Sequence, residues 1–134
     1  MDTVIFACRH NAGRSQIAAG WCALLADPSK VRVLSAGTRP AENVNPAVVD
    51  VMREVGVDLS TARPQLLTAE LARGATALVT MGCGDECPVV PGLPVEDWAL
   101  PDPKGRDASS VRETRDEIRR RVVSLLERQG WLRD

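Results

Sequence analysis

Five residues separate Cys8 from Arg14, among them His10, Asn11 and Gly13. A cysteine thiolate is a strong nucleophile. Arginine offers a planar fork that matches two oxygens of a tetrahedral anion. Cys-x5-Arg alone is a weak signal, and its flanks give it meaning. Thr3–Ala7 is a short apolar run, as in a buried parallel strand, and Ser15 opens a helical pattern. A loop running from a strand end into a helix start can curl its backbone N–H groups inward as a nest for an oxyanion. Gly13 is expected to supply a backbone conformation that a Cβ would obstruct. The same positive field favours the thiolate form of Cys8. Arg9, His10, Asn11, Ala12, Gly13, Arg14 and Ser15 are therefore the expected anion-binding residues, with Ser15 in reach of the thiolate. The chemistry this predicts is attack by Cys8 on the central atom of a bound tetrahedral oxyanion.

A second thiol pair, Cys83 and Cys87, sits in Met81-Gly82-Cys83-Gly84-Asp85-Glu86-Cys87-Pro88. On an intact helix, positions i and i+4 hold their Cβ atoms about 5–6 Å apart. A disulfide needs roughly 3.5–4.5 Å. Pairing therefore requires a loop or an unwound turn, which Gly82 and Gly84 make easy. The C-x2-C knuckles of a structural zinc site are absent, so no metal is expected. Cys22, beside Trp21 in a helical pattern, reads as a core residue. Asp102, between Pro101 and Pro103, reads either as a turn residue or as an acid. His10 is the lone histidine and there is no tyrosine, so mechanisms needing a tyrosine or a second histidine are excluded.

These residues need a frame. Ile17, Trp21, Leu24 and Leu25 fall on one face of a helix predicted from Ser15 to Ala26, which Pro28 stops. Val31–Ala36 alternates as a second strand. Asn45 is the expected N-cap of a helix over Pro46–Val55, with Val48, Val49, Met52 and Val55 as its stripe and Gly56 at its end. Thr68–Arg73 is a short helix. Ala75–Met81 and Val95–Ala99 are the third and fourth strands. Ser109–Arg128 is the longest helix, buried through Val111, Ile118, Val122, Leu125 and Leu126, with Arg119-Arg120-Arg121 solvated. Strands alternating with helices predict one α/β domain with a parallel sheet. Ligands bind beyond the carboxyl ends of such strands, where Cys8 falls.

Composition narrows the partners. The chain has 134 residues, 44% apolar and 26% charged, with a net charge of −1. That is ordinary globular composition, with no global attraction for nucleic acid or an acidic membrane. The uncharged stretch Ser15–Ala26 is far short of the roughly 20 apolar residues of a membrane span. With no secretory signal pattern near the start, the expected compartment is the cytoplasm, where structural disulfides are rare.

Cys8-Arg9-His10-Asn11-Ala12-Gly13-Arg14-Ser15 resembles the active-site loop of the low-molecular-weight protein tyrosine phosphatase superfamily. Ser35-Ala36-Gly37-Thr38, Asn45-Pro46, Gly56-Val57-Asp58-Leu59-Ser60 and Asp102-Pro103 follow in the expected order, so the resemblance covers nearly the whole chain. It implies a single domain over residues 1–134, with a four-stranded parallel sheet flanked by helices. Cys8 would be the nucleophile, Arg14 the anion clamp and Asp102 the general acid.

The phosphatase branch follows Asp-Pro with tyrosines that stack on an aryl ring; here Lys104-Gly105 follows. The segment Met81–Pro88 is similar to the one carrying two redox cysteines in the superfamily's arsenate reductases, and Glu96-Asp97-Trp98 also looks like that branch. The Cys83–Cys87 spacing is shorter than in the best-known thioredoxin-linked members and looks more like actinobacterial-type relatives, some of which use mycothiol. Ala19 stands where some reductases place an acidic cation ligand, so no potassium is expected. The resemblance thus implies arsenate reduction. Cys8 attacks arsenic, Cys83 attacks Cys8, and Cys87 captures Cys83. No cofactor is bound; the reductant is external, either thioredoxin or the mycothiol/mycoredoxin system. Phosphate and sulfate would compete with arsenate. The alternatives are an arsenate–mycothiol transferase using Cys8 alone, a phosphatase, and a non-enzymatic oxyanion or redox sensor.

Overall fold

The computed structural model describes residues 1–82, 87–88 and 90–134. Its elements in chain order are β1 (Asp2–Cys8), α1 (Arg14–Leu25), β2 (Val31–Gly37), α2 (Pro46–Arg53), α3 (Ala69–Arg73), β3 (Ala77–Met81), β4 (Val95–Asp97) and α4 (Ala108–Gln129). The sheet is parallel throughout, in the order β2-β1-β3-β4. This is the four-stranded α/β architecture expected from the sequence.

β1 is central and carries the register. Cys8 pairs with Gly37 on one side and Met81 on the other, so three strands end in one row. Val4 to Cys8 are all buried because both faces of the sheet are covered. Val4, Phe6 and Cys8 face a large core built with α1, α2 and α4. Ile5 and Ala7 face a smaller cluster with Ala36, Leu67, Ala72 and Leu78. The chain leaves β1 for β2 on one side and later returns to β3 on the other. The cleft described below opens beyond this switch.

Helix ends follow the sequence. The Asn45 side chain accepts from Ala47 N at 3.0 Å. Past α2, Gly56 adopts φ +83°, while Val57 N donates to Met52 O and Gly56 N to Arg53 O. These bonds form a Schellman closure, which explains why the pattern reads as helix to Val55. The Asp107 side chain caps α4, and Gly130 closes it with φ +74°.

The boundaries and stripes differ in places. β3 starts at Ala77 rather than Ala75, and β4 stops at Asp97 rather than Ala99. Leu24 is exposed, against expectation. α1 is covered almost all round through Cys22, then loses its cover in the last turn. In α2 the buried residues are Val48, Val51 and Met52, with Val49 and Val55 at the margin, because the helix is clasped by α4 as well as facing α1. Among the described residues, no helix is long and apolar enough to cross a membrane.

Candidate active site

The loop from Cys8 to Gly13 turns its carbonyls outward one after another. Those of Cys8, Arg9 and His10 accept from the N–H groups of Thr38, Arg39 and Ala41, at 3.3, 2.7 and 3.0 Å. The Asn11 carbonyl accepts from Gln16 Nε2 at 3.0 Å. Those of Ala12 and Gly13 accept from Asn45 N and Ile17 N, both at 2.9 Å. In a trans peptide the C=O and the following N–H point in opposite directions. Holding six carbonyls against the scaffold therefore turns the N–H groups of residues 9–14 away from it, toward the loop's hollow. The segments after β2 and before α2 supply the outer sheath. Packing is close enough that a Cβ on Gly37 would lie 2.7 Å from Arg9 O.

Gly13 has φ −135° and ψ −94°, neither helical nor extended. A side chain there would also meet Pro103, with its Cβ 3.1 Å from the ring Cγ. The left-handed residue is Asn11, at φ 51°. Asn11 is fully buried, and its side chain serves the scaffold. Nδ2 donates to Ser15 Oγ at 2.7 Å, and Oδ1 accepts from Gln65 N at 3.0 Å. Ser15 Oγ lies 2.9 Å from Cys8 Sγ. A thiolate carries no proton, so in that state Ser15 donates to it.

Arg14 sits at the head of α1 with its guanidinium wedged between two segments. Nη1 donates to Leu100 O at 3.1 Å, and Nη2 lies 3.8 Å from Asp102 Oδ2. A Cβ on Gly82, which has φ +87°, would come within 2.5 Å of Nη1. Arg14 Nε is buried, and none of the described residues accepts from it. A buried donor of this kind fits a ligand that brings its own acceptor oxygens.

Above these groups opens a cleft of about 390 Å3. The Cys8–Arg14 loop lines it through Cys8, His10, Ala12, Gly13 and Arg14, joined by Ala41, Asn45, Asp102, Lys104 and Gly105. No Phe, Tyr or Trp lies among the described residues that line it. Asp102 forms the expected turn, and its carboxylate also faces the cleft. Its Oδ1 accepts from Lys104 N at 3.0 Å in a local turn, and its half-exposed carboxylate borders the cleft.

The remaining cysteines fall in different settings. Cys8 and Cys22 are free thiols. Cys22 is fully buried, and loss of hydration pushes its thiol up to about 12. Cys87 is half-buried against the smaller core cluster and is disulfide-bonded. Cys83 lies outside the described residues. Sequence reasoning missed Gln65, the Leu100 carbonyl and the clearance at Gly82. Of these only Gly82 left a mark, as a glycine directly after a strand.

The fold and this loop define a class. Residues 3–130 match the family described as low molecular weight phosphotyrosine protein phosphatase. The chain belongs to that family. Among its relatives, a Halobacterium salinarum protein assigned as an arsenate reductase is 37% identical over 126 residues, 91% of this chain and 89% of that one. The arsenate reductase of Staphylococcus aureus strain Newman is 36% identical over 122 residues, 87% of this chain and 90% of that one. The structure of a Corynebacterium glutamicum thioredoxin-dependent arsenate reductase superposes with a TM-score of 0.83 at 41% identity, covering 95% of this chain and 61% of that longer one. An arsenate reductase in the phosphate binding state gives a TM-score of 0.80 at 30% identity, covering 96% of this chain and 98% of that one.

Proposed function

We propose that this chain reduces arsenate to arsenite, with Cys8 as the nucleophile. The observation that carries the reading is Cys8 and Arg14 lining one cleft, with Cys8 Sγ 2.9 Å from Ser15 Oγ. Arsenate is a small tetrahedral oxyanion. Inward N–H groups and the guanidinium bind its oxygens, and the Cys8 thiolate forms a sulfur–arsenic bond. One oxygen leaves as water, with Asp102 giving the proton. Cys83 thiolate then attacks Cys8 sulfur. The sulfur–arsenic bond breaks with its electron pair going to arsenic, so As(V) becomes As(III) as two thiols become one disulfide. Attack of Cys87 on Cys83 frees Cys8 and leaves the disulfide for an external reductant. A disulfide that includes Cys87 and leaves Cys8 a free thiol is consistent with the end of that sequence.

The related C. glutamicum enzyme is thioredoxin-dependent, which favours thioredoxin as the reductant here. The related enzyme in a phosphate binding state supports phosphate as a competing anion. A cleft rimmed by Lys104 and Gly105 rather than by aromatic rings supports a free oxyanion over an aryl ester.

The test is NADPH consumption on addition of arsenate, with thioredoxin and thioredoxin reductase in one arm and mycothiol with mycoredoxin and its reductase in the other. The thioredoxin arm should turn over, and folded Cys8→Ser should not. Turnover in the mycothiol arm alone, unaffected by Cys83→Ser and Cys87→Ser, would replace the relay with the transferase reading. Hydrolysis of an aryl phosphate without arsenate reduction would replace both with a phosphatase.

A further inference from the structure

We propose that Thr80, through Asp97, is a positioning residue for the Arg14 guanidinium; the inference rests on the assignment of Arg14 as the anion clamp. Arg14 is gripped by two stretches of chain. One is Gly82, just past the end of β3, whose missing side chain leaves room for Nη1. The other runs on from β4 and brings the Leu100 carbonyl onto Nη1 at 3.1 Å and the Asp102 carboxylate to 3.8 Å from Nη2. The spacing between these stretches sets where the fork points.

Thr80 and Asp97 are the last register pair before β3 and β4 part. There the Thr80 hydroxyl donates to Asp97 Oδ1 at 2.7 Å, and Trp98 N donates to Thr80 O at 2.8 Å. Thr80 is 6% exposed, so its hydroxyl is committed to this bond rather than shared with water. Trp98 follows at once, buried against Phe6 with ring centroids 5.9 Å apart. From that anchor the chain needs only two residues to reach Leu100. The hydroxyl–carboxylate bond therefore ties the two strands where their tails begin to diverge around the guanidinium. It touches neither the anion nor the reacting atoms, and acts only through Arg14. Sequence reading passes over it because threonine in a strand and aspartate at a strand end are both ordinary.

The measurement is the affinity for inorganic phosphate, read by calorimetry without turnover, together with kcat and KM for arsenate. Thr80→Val keeps the shape and removes the bond. Displacing a binding group by a fraction of an ångström should weaken phosphate binding and raise the arsenate KM, each on the order of tenfold. Thr80→Ser should restore both. Asp97→Ala, on the exposed side of the bond, should reproduce Thr80→Val, and the double variant should be no worse than either single one. Because Asp97 is exposed, Asp97→Ala still decides the matter if Thr80→Val does not fold. Unchanged phosphate affinity in folded Asp97→Ala would overturn the proposal. Failure of the wild type to reduce arsenate would instead overturn the functional reading, and phosphate binding would still test the clamp.

Discussion

Arg14 contributes a shape as well as a charge. Its fork is fixed by the Leu100 carbonyl and by the bare backbone of Gly82, and lysine could satisfy neither the two-oxygen geometry nor this seat. Arg14→Lys keeps the charge but loses a charge-assisted hydrogen bond, so competition by phosphate should weaken roughly ten- to a hundredfold. Equal competition in variant and wild type would remove Arg14 from the cradle. The neighbouring test is Gly82→Ala. Its Cβ would meet Nη1 at 2.5 Å, and its backbone is left-handed, which costs a side-chain-bearing residue about 1–2 kcal/mol. Both anion affinity and stability should fall, separating it from Arg14→Lys. Cys22 is the contrasting thiol. Burial pushes it up to about 12, so it stays protonated and should alkylate only when the protein unfolds, as peptide mapping after native and denatured labelling would read.

At the scale of elements, a helix end and a loop can be asked the same question: is it scaffold or site? The Asp107 side chain accepts from Ser110 N at 2.8 Å, caps α4 and is not among the residues that line the cleft. Asp107→Ala should cost about 1 kcal/mol in urea unfolding. Phosphate affinity should stay unchanged. Gly13→Ala tests the opposite case, because its Cβ would press on Pro103 and push the Asp102 turn from the loop. Turnover should fall more than stability; an equal loss of both would make the contact mere packing. What was legible in the sequence divides along this line. Local signals were plain: Asn45 before Pro46, Gly56 after α2, the apolar run into Cys8 and the stripe of α4 all fixed their elements through contacts within a few residues. What depended on distant neighbours was not. Leu24 carries the right period but stays exposed in the last turn of α1, while Val51 is buried because α4 lies against α2. Gly13 was legible as a loop glycine, but the approach of Pro103, 90 positions along the chain, was not. Cys8, Arg14 and Asp102 were legible as a set through the resemblance; the carbonyl of Leu100 and the amide of Gln65, backbone groups that any residue carries, were not.

Across the whole molecule, the site depends on helices that never touch it. The loop before α2 helps sheathe the Cys8–Gly13 loop through Asn45, and α2 is clasped to α4 by Glu54. Glu54 accepts from Arg112 at 2.8 and 2.9 Å and from Arg115 Nη1 at 2.9 Å, while Arg115 Nη1 also donates to Val51 O. The Arg112 hydrogen bond, followed by that from Arg115, holds the Glu54 carboxyl down to about 2 from its usual 4.5. The folded state thus binds this proton more weakly than the unfolded chain does. Stability from the clasp is fully present above about pH 4.5 and drains away as the pH falls toward about 2. Asp27, Asp58, Asp107 and Glu117 are also held below their usual range, chiefly by bonds from Ser29, Ser60, Ser110 and Arg121, so the wild type as a whole should weaken in acid. Glu54→Gln isolates one share of that slope. At neutral pH the variant should melt below the wild type, because an amide cannot pair with two guanidinium groups. As the pH drops through the window set by Glu54, the gap in melting temperature should close, since the wild-type carboxylate is then being neutralised too. A gap that stays constant down to about pH 2 would mean that the carboxyl contributes packing rather than charge. High salt should narrow the neutral-pH gap as well, because both partners are partly open to water.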